Sequence, residues 1–393
     1  MKIMSVVGAR PNFMKIAPFV HAIAEYNGSV LDNKQIEHVL VHTGQHYDDK
    51  MNRTFFEALN IPDADVNLGI GSGSHAEQVG LTMIAFEKVL KEHQPDWVVV
   101  VGDVNATCAC SITAKKERVK VAHIEAGLRS FDLAMPEEIN RMVTDRLSDL
   151  LLTPCRISGE NLRREGVADE RISFVGNIMI DTLEAQREKA AALDIAAIVS
   201  SQLLNPSVPL VGIDFERFAL MTMHRPSNVD VIEVLEPIVN FLCDEVASDM
   251  PLIWPIHPRA KKQLETFALW EKVVTTENLI LLHPLGYHEM LRLNMGASLM
   301  LTDSGGLQEE CCVLGTPCLT LRWNTERPVT LQEHGGASVL VGNEISRIRK
   351  AYHDATNTER NPQRPELWDG NTAKRIVEAL LNHGNCKVII QRK

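Results

Sequence analysis

Short apolar runs alternate with amphipathic stretches along the chain, and this pattern predicts strands and helices in regular succession. The first apolar runs occupy residues 2–8 and 36–42, and residues 12–26 between them have the apolar spacing of a helix. Residues 96–101 read DWVVVV, an uninterrupted apolar strand that is typical of a parallel sheet covered on both faces. The succession therefore predicts an α/β protein with parallel sheets.

The pattern occurs twice, on either side of residues 194–209, which lack a clear period and contain two prolines. Further elements of the first series are predicted as helices at residues 50–59 and 75–92 and strands at 149–153 and 172–175. The strands of the second series are predicted at residues 217–223, 251–256, 279–282, 298–301 and 317–321. A chain of 393 residues is too long for a single core. We therefore predict two Rossmann-like domains, residues 1–193 with a C-terminal crossing helix at about 365–393, and residues 210–364.

Acidic residues follow neighbouring strands of the first predicted domain. Asp103 comes directly after the strand at 96–101, Glu125 ends the next apolar run, and Glu137 lies in the first turn of the following helix. Because α/β proteins bind ligands where parallel strands end, these residues predict a group of carboxylates suited to proton transfer. By its position alone, Asp103 could equally be the N-cap of a helix.

Basic residues and glycines follow the predicted strands at places suited to an anion. Arg10 and Lys15 stand at the start of the first helix. In the second domain the strand ends carry His224 and Arg225, His257, His283, and the turn Ser304-Gly305-Gly306. Free N–H groups and the helix dipole at such a glycine turn can hold a pyrophosphate, although a glycine-capped helix start is the alternative. Glu310, further along that helix, could accept the hydroxyls of a ribose.

Charge and cysteine content narrow the possible partners. The formal net charge of −11 argues against a nucleic acid or an anionic membrane surface as partner. The N-terminus runs directly into a strand, and no apolar run of about 18 residues occurs, so neither a signal peptide nor a membrane span is expected. Eight cysteines without a CxxC pair indicate reduced, buried thiols in the cytoplasm and no metal site.

A series of motifs covers the chain nearly from end to end. They are GARP at 8–11 with Lys15, TGQH at 43–46, GD at 102–103, HIEAGLRS at 123–130, PEEINR at 136–141, VGN at 175–177, HRPSN at 224–228, DSGGLQEE at 303–310 and TERP at 325–328. With these motifs the chain resembles the non-hydrolysing UDP-N-acetylglucosamine 2-epimerases. The pair HIEAGLR and PEExNR is specific to those enzymes, whereas the other motifs are weaker when taken alone.

The resemblance implies a GT-B-like fold, with two Rossmann-like domains facing across a cleft, and a homodimer without NAD or a metal cofactor. It implies reversible interconversion of UDP-N-acetylglucosamine and UDP-N-acetylmannosamine for polysaccharide synthesis. UDP would be eliminated to give 2-acetamidoglucal and then added back with carbon 2 inverted. By motif position, the catalytic residues are Asp103, Glu125, Glu137 and His224. The UDP-sugar site comprises Arg10, Lys15, Arg141, Arg225, His257, Ser304, Gly305, Gly306, Glu310 and Arg327.

Several alternatives stay open at this point. The motifs HYD and GSGSH also occur in relatives that act on a UDP-2,3-diacetamido-glucuronate, so the same reaction on that substrate is one alternative. A GT-B glycosyltransferase that uses a UDP-sugar is another, although it would not need three acids on the first domain. Asp48 stands where relatives activated by a second UDP-N-acetylglucosamine have glutamine, which leaves activation open. Which acid takes the proton from carbon 2 is open as well.

Overall fold

A computed structural model describes residues 1–8, 10–44, 59, 61–205, 210, 212–356 and 358–384. The side chains of Arg10 and Pro11 lie outside this description. The helix predicted at residues 50–59 and the segment around Asp48 also fall outside the described residues, apart from Leu59.

The first sheet contains seven parallel strands in the order β3-β2-β1-β4-β5-β6-β7. Its strands are β1 Lys2–Val7, β2 Glu37–His42, β3 Val66–Asn67, β4 Trp97–Val101, β5 Lys120–Ile124, β6 Leu150–Thr153 and β7 Ile172–Phe174. The order reverses between β1 and β4, and the ends of strands at such a switch point are where open α/β sheets bind ligands. All five residues of β4 are buried, as the uninterrupted apolar run predicted.

The helices around this sheet follow the strands in alternation. They are Arg10–Ser29, His75–His93, Asn105–Lys116, Pro136–Leu147, Arg156–Arg164 and Ile178–Ala191, and the C-terminal helix is Thr372–Gly384. The helix His75–His93 begins with a capping box between Ser74 and Glu77, which satisfies two backbone N–H groups at its start. The glycine-rich residues before Ser74 form a loop.

The second sheet contains six parallel strands in the order β10-β9-β8-β11-β12-β13. These are β8 Ala219–Thr222, β9 Leu252–Pro255, β10 Leu279–Leu282, β11 Leu299–Thr302, β12 Cys318–Thr320 and β13 Ser338–Leu340. Alternate residues face two separate apolar clusters, so that Met221 packs in one cluster and Leu220 in the other. The principal helices are Ile195–Gln202, Ile232–Phe241, Pro258–Thr266, Trp270–Thr275, Tyr287–Gly296, Gly305–Leu314 and Ile345–Ala355.

The chain divides into two compact units, residues 1–182 with 366–393, and residues 183–365. The C-terminal helix Thr372–Gly384 thus belongs to the first unit, where Asp181 accepts backbone N–H bonds from Thr372 and Ala373 at 3.1 and 2.7 Å. The sequence placed the first boundary at residue 193, eleven residues later than this division.

The prediction of an irregular linker at residues 194–209 is wrong for its first half. Residues Ile195–Gln202 form a helix whose N-cap is Asp194, because the side chain of Asp194 accepts the N–H of Ala197. Ile195, Ile198 and Val199 fall on one face of this helix and are buried in a core of the second unit. Their spacing of three and four residues was the helical signal that the neighbouring prolines obscured.

Two further expectations concern cysteines and membranes. The seven cysteines within the described residues are all buried and form no disulfide, as predicted. Across the part of the chain that the structure describes, no helix combines the length and the apolar character needed to cross a membrane.

Candidate functional site

Two left-handed turns end neighbouring strands of the first sheet and carry the candidate acids. Gly102, after β4, has φ 69°, and Glu125, after β5, has φ 73°. Left-handed backbone is free for glycine but strained for glutamate, and such strain is concentrated at functional sites. The strand ends therefore hold Asp103 and Glu125 in defined positions at the switch-point edge of the sheet.

Lys15 and Glu125 form a buried ion pair at this edge. Nζ of Lys15 donates to Oε2 of Glu125, and the two residues are 7% and 4% exposed. A Cβ atom added to Gly102 would lie 3.2 Å from Nζ of Lys15 and 3.4 Å from Oε2 of Glu125, so the pair packs directly on the turn before Asp103. Lys15 was predicted to contact the nucleotide, and in the structure it neutralises a candidate acid.

Asp103 is held by the helix Pro136–Leu147. Arg141 donates to Oδ2 of Asp103 through Nε at 3.0 Å and Nη2 at 2.8 Å. Asn140 donates from Nδ2 to the backbone carbonyl of Asp103 at 2.9 Å. The side chain of Asp103 is 25% exposed, whereas that of Arg141 is only 3% exposed. The carboxylate of Asp103 thus stays accessible to solvent, while Arg141 and Asn140 fix its position.

The two adjacent glutamates at the start of this helix have different environments. Glu138 is 1% exposed and accepts bonds from the N–H and hydroxyl of Ser130 and the N–H of Phe131, and it also pairs with Arg141. Glu138 therefore fixes the loop before the helix. Glu137 is exposed in the first helical turn, where a carboxylate is available to a ligand.

In the second unit, Asp303 at the end of β11 organises the residues that follow β8. Its carboxylate accepts the backbone N–H groups of His224 and Arg225 and the side-chain amide of Asn228, at 2.8 to 3.2 Å. Oδ1 of Asp303 also lies 2.9 Å from Nδ1 of His224. Burial alone would raise the pKa of Asp303, but the bonds from His224 and Arg225 hold this pKa below its ordinary value. Asp303 therefore fixes the ring and the backbone of His224 at this strand end.

Two histidines stand side by side at this edge of the second sheet. The rings of His224 and His257 have centroids 5.5 Å apart. Nδ1 of His257 accepts the N–H of Arg259 at 3.1 Å and caps the helix Pro258–Thr266. Nδ1 of each histidine contacts the protein, so both rings are held in defined orientations.

The helix Gly305–Leu314 begins without a side-chain cap, because the side chain of Ser304 makes no capping bond. A Cβ atom on Gly306 would meet nothing within 4 Å, so the space beside it is open. A Cβ atom on Gly305 would lie 2.6 Å from Nη1 of Arg327 and 2.8 Å from Oε1 of Glu326. Gly305 is therefore required by internal packing, whereas the N–H groups and open side near Gly306 suit a phosphate.

Arg327 and Glu310, both predicted to bind the nucleotide, are largely buried. Arg327 is 7% exposed and donates to Glu309 at 2.7 Å and also to Glu326. Glu310 is 3% exposed. Burial raises the pKa of Glu310 to about 7, and nearby Tyr287 and Asn294 only partly oppose this. The described residues contain no cluster of His, Cys, Asp and Glu that could hold a metal ion.

Comparison with known proteins decides the family. The sequence model of the UDP-N-acetylglucosamine 2-epimerases matches residues 29–381. The UDP-N-acetylglucosamine 2-epimerase of Methanocaldococcus jannaschii is 42% identical over 382 residues, which cover 97% of this chain and 99% of that protein. The chain belongs to the UDP-N-acetylglucosamine 2-epimerase family. It is therefore an isomerase, as the motifs at 123–130 and 136–141 predicted.

Solved structures confirm the fold class of this 2-epimerase. The M. jannaschii UDP-GlcNAc 2-epimerase, in complex with UDP-GlcNAc and UDP, is 40% identical, with a TM-score of 0.85 and coverage of 97% of this chain and 100% of that chain. The predicted GT-B-like class with two Rossmann-like domains is thus confirmed.

The UDP-2,3-diacetamido-2,3-dideoxy-D-glucuronate 2-epimerase of Pseudomonas aeruginosa is 38% identical over 384 residues, which cover 97% of this chain and 99% of that protein.

The structure groups most of the predicted site residues of this family member. In the first unit it brings together Lys15, Asp103, Glu125 and Arg141, while Arg10 begins the first helix with its side chain outside the described part. In the second unit the strand ends β8 and β11 bring Arg225 to Asp303, because Nε of Arg225 donates to the carbonyl of Asp303 at 3.0 Å.

Sequence reasoning missed two supporting residues, Asp303 and Asn140. Both lie inside motifs that were recognised, DSGGLQEE and PEEINR, next to residues that were selected. A polar residue directly after a buried strand was the available signal for Asp303. The contact between Asn140 and Asp103 spans 37 residues, and no local pattern could have revealed it.

Proposed function

We propose that this 2-epimerase interconverts UDP-N-acetylglucosamine and UDP-N-acetylmannosamine. The observation that carries the proposal is the group formed by Asp103, Glu125, Lys15 and Arg141 at two adjacent strand ends. Carboxylates held by cations at a sheet edge are suited to proton transfer, and family membership supplies the reaction. The same membership favours epimerisation over glycosyl transfer.

The proposed reaction starts with loss of UDP. One carboxylate among Asp103, Glu125 and Glu137 takes the proton from carbon 2, while the bond between carbon 1 and the diphosphate oxygen breaks and its electrons leave with UDP. In this proposal, the ring of His224 and the N–H groups around Gly306 stabilise the departing diphosphate. Addition of UDP to the 2-acetamidoglucal, with a proton delivered to the other face of carbon 2, completes the inversion.

The experiment that tests this proposal is proton NMR of the purified protein with UDP-N-acetylglucosamine in deuterated water. We expect UDP-N-acetylmannosamine with deuterium at carbon 2 and no accumulation of free sugar. Free N-acetylmannosamine together with UDP would instead show hydrolysis, and a new glycoside formed only with an added acceptor would show glycosyl transfer.

A second candidate substrate is UDP-2,3-diacetamido-2,3-dideoxy-D-glucuronate. The P. aeruginosa relative that is named for this substrate is 38% identical, close to the 42% of the M. jannaschii enzyme. The same NMR experiment separates the two candidates. Turnover of the diacetamido-uronate alone would replace UDP-N-acetylglucosamine as the substrate, while the chemistry at carbon 2 would stay the same.

The proposal includes a homodimer. Leu81 and Ile84 on the helix His75–His93 are 51% and 60% exposed, and Ile139 and Met142 on Pro136–Leu147 are 51% and 43% exposed. Both helices pack against Asn105–Lys116 within the first unit. Two apolar pairs with a spacing of three residues suit burial against a second copy of the chain.

Light scattering after size exclusion tests this dimer. Ile84→Glu combined with Ile139→Glu should give a monomer, whereas Leu31→Glu, at a leucine that is 74% exposed elsewhere, should leave the mass of a dimer. A wild-type monomer would refute the dimer. The proposal further places the enzyme in the cytoplasm as a supplier of polysaccharide precursors. The seven cysteines in the described residues are buried and form no disulfide, which supports a reducing compartment.

A further inference from the structure

His123 lies on β5, directly behind the candidate acids, and its side chain is fully buried. Nδ1 of His123 is 2.6 Å from Oδ1 of Asp145, and Nε2 is 2.8 Å from the carbonyl oxygen of Gly102. A carbonyl oxygen and a carboxylate oxygen can only accept hydrogen bonds. A ring that satisfies both contacts therefore carries a hydrogen on each nitrogen.

Asp145 connects His123 to a larger network of charges. Oδ2 of Asp145 accepts the N–H of Gly127 at 3.0 Å and Nη1 of Arg129 at 2.7 Å. Arg129 also makes two bonds of 2.7 Å to the carboxylate of Glu165. Burial alone would raise the pKa of Asp145, but the charges of His123 and Arg129 hold this pKa below its ordinary value. Asp145 thus lies between His123 and Arg129, and this buried arrangement can hold the ring of His123 firmly.

The bond from His123 to Gly102 links the two strand ends that carry the acids. Gly102 immediately precedes Asp103, and His123 precedes Glu125 by two residues on the neighbouring strand. The N–H of Gly102 donates to the carbonyl of Ile124 at 3.2 Å. Both turns have positive φ. The ring of His123 adds a side-chain bond to this backbone bond between the two strand ends.

We propose that His123 is a positioning residue for the proton transfers. Its Nε2–H donates to the carbonyl of Gly102 and fixes the turn that carries Asp103 against the strand that carries Glu125. This role rests on the proposed function, since it concerns the placement of the same acids. His123 itself has no exposed surface, so it acts through the residues that it holds.

Two substitutions separate the two bonds of the ring. An asparagine amide reaches about as far as Nδ1, so His123→Asn can meet Asp145 but not Gly102. A glutamine amide reaches about as far as Nε2, so His123→Gln can still donate to the carbonyl of Gly102. We expect His123→Asn to lower kcat by about 100-fold, because a displacement of about 1 Å costs that much, and His123→Gln by less than about 10-fold.

Further measurements on these two variants distinguish a positioning role of His123 from general destabilisation of the protein. UDP binds through the second unit in this proposal, so the Kd for UDP, measured by calorimetry, and KM should change by less than about 3-fold in both variants. His38→Asn is the matched control. His38 lies on β2 of the same sheet, and its ring bonds to Ser5 at 2.9 Å. Because β2 is not next to β4 or β5, the strands that carry the acids, kcat of this variant should match wild type.

Nitrogen NMR of the wild-type chain labelled with ¹⁵N-histidine tests the contact without any loss of folding. The signal that disappears in His123→Gln identifies His123, and we expect a proton on its Nε2. An unprotonated Nε2 would overturn the proposal, as would equal kcat in the two variants or kcat within about 3-fold of wild type in His123→Asn. Wild-type activity is measured first, because its absence would refute the proposed function rather than the role of His123.

Discussion

Arg141 makes two bonds to one oxygen of Asp103, through Nε at 3.0 Å and Nη2 at 2.8 Å, and its third donor group pairs with Glu138. A buried guanidinium used in this way has few donors left for a ligand. The geometry favours a role for Arg141 in placing Asp103 over the direct contact with UDP-sugar that the motif suggested.

Arg141→Lys tests which of the two roles is correct. Lysine keeps the charge but loses the planar fork, so Asp103 and Glu138 cannot both be held in their present positions. We expect kcat to fall by about 100-fold, while the Kd for UDP in calorimetry changes by less than about 2-fold. A large increase in Kd with unchanged kcat would return Arg141 to the substrate site. Arg146→Lys, in the last turn of the same helix, is the control.

Removing the charge of any of the three candidate acids should lower turnover but leave nucleotide binding nearly unchanged. Asp103→Asn, Glu125→Gln and Glu137→Gln each remove a group that can accept a proton and keep nearly the same shape. We expect kcat to fall by about 100-fold to 10,000-fold in each, the range for general acid–base groups, with the Kd for UDP nearly unchanged.

The matched control for the acids is Glu117→Gln, which follows the helix Asn105–Lys116 and should keep full turnover. Deuterium incorporation at carbon 2, followed by NMR, distinguishes the acids further. A variant that exchanges the proton at carbon 2 without inverting it would have lost the acid on the other face. Near-normal turnover in all three variants would remove the acids from the mechanism.

Substitutions at the adjacent residues Gly305 and Gly306 should have opposite effects on the stability of the protein. Alanine at Gly305 would place Cβ 2.6 Å from Nη1 of Arg327, within a buried ion-pair cluster, whereas alanine at Gly306 meets open space. We expect Gly305→Ala to destabilise the protein by about 1 to 3 kcal/mol and Gly306→Ala to stabilise it by about 0.5 kcal/mol through helix propensity. Thermal unfolding without UDP measures both effects. Equal melting temperatures would contradict the packing assigned to Gly305.

The sequence was sufficient for most strands of the two parallel sheets, because uninterrupted apolar runs such as residues 96–101 have few alternatives. The ends of these apolar runs also predicted the ends of the strands, so Asp103 and Glu125 were correctly placed after neighbouring strands. The short edge strands β3 and β13 were not predicted. The helix Ile195–Gln202 was missed, since its short apolar face lies close to prolines. Partners such as Lys15 with Glu125, separated by 110 residues, depend on packing that no local pattern expresses.

The last prediction concerns the pH dependence of stability, which follows from Glu310. Its pKa is raised from 4.5 to about 7 by burial, so the folded state binds the proton more tightly than the unfolded state. The stabilisation from the protonated carboxyl is complete below the unfolded pKa of 4.5 and is lost as the pH rises through about 7.

Glu310→Gln keeps the shape of the protonated carboxyl and cannot ionise. Relative to wild type, the variant should therefore gain about 2 to 3 kcal/mol between pH 5 and pH 8, from a shift of about 2.5 pH units. Melting temperatures of both proteins without UDP, measured at several pH values, should diverge as the pH rises. Glu333→Gln, at a side chain that is 73% exposed, should run parallel to wild type. A difference between Glu310→Gln and wild type that is constant with pH would show that Glu310 ionises as freely in the folded protein as in the unfolded chain.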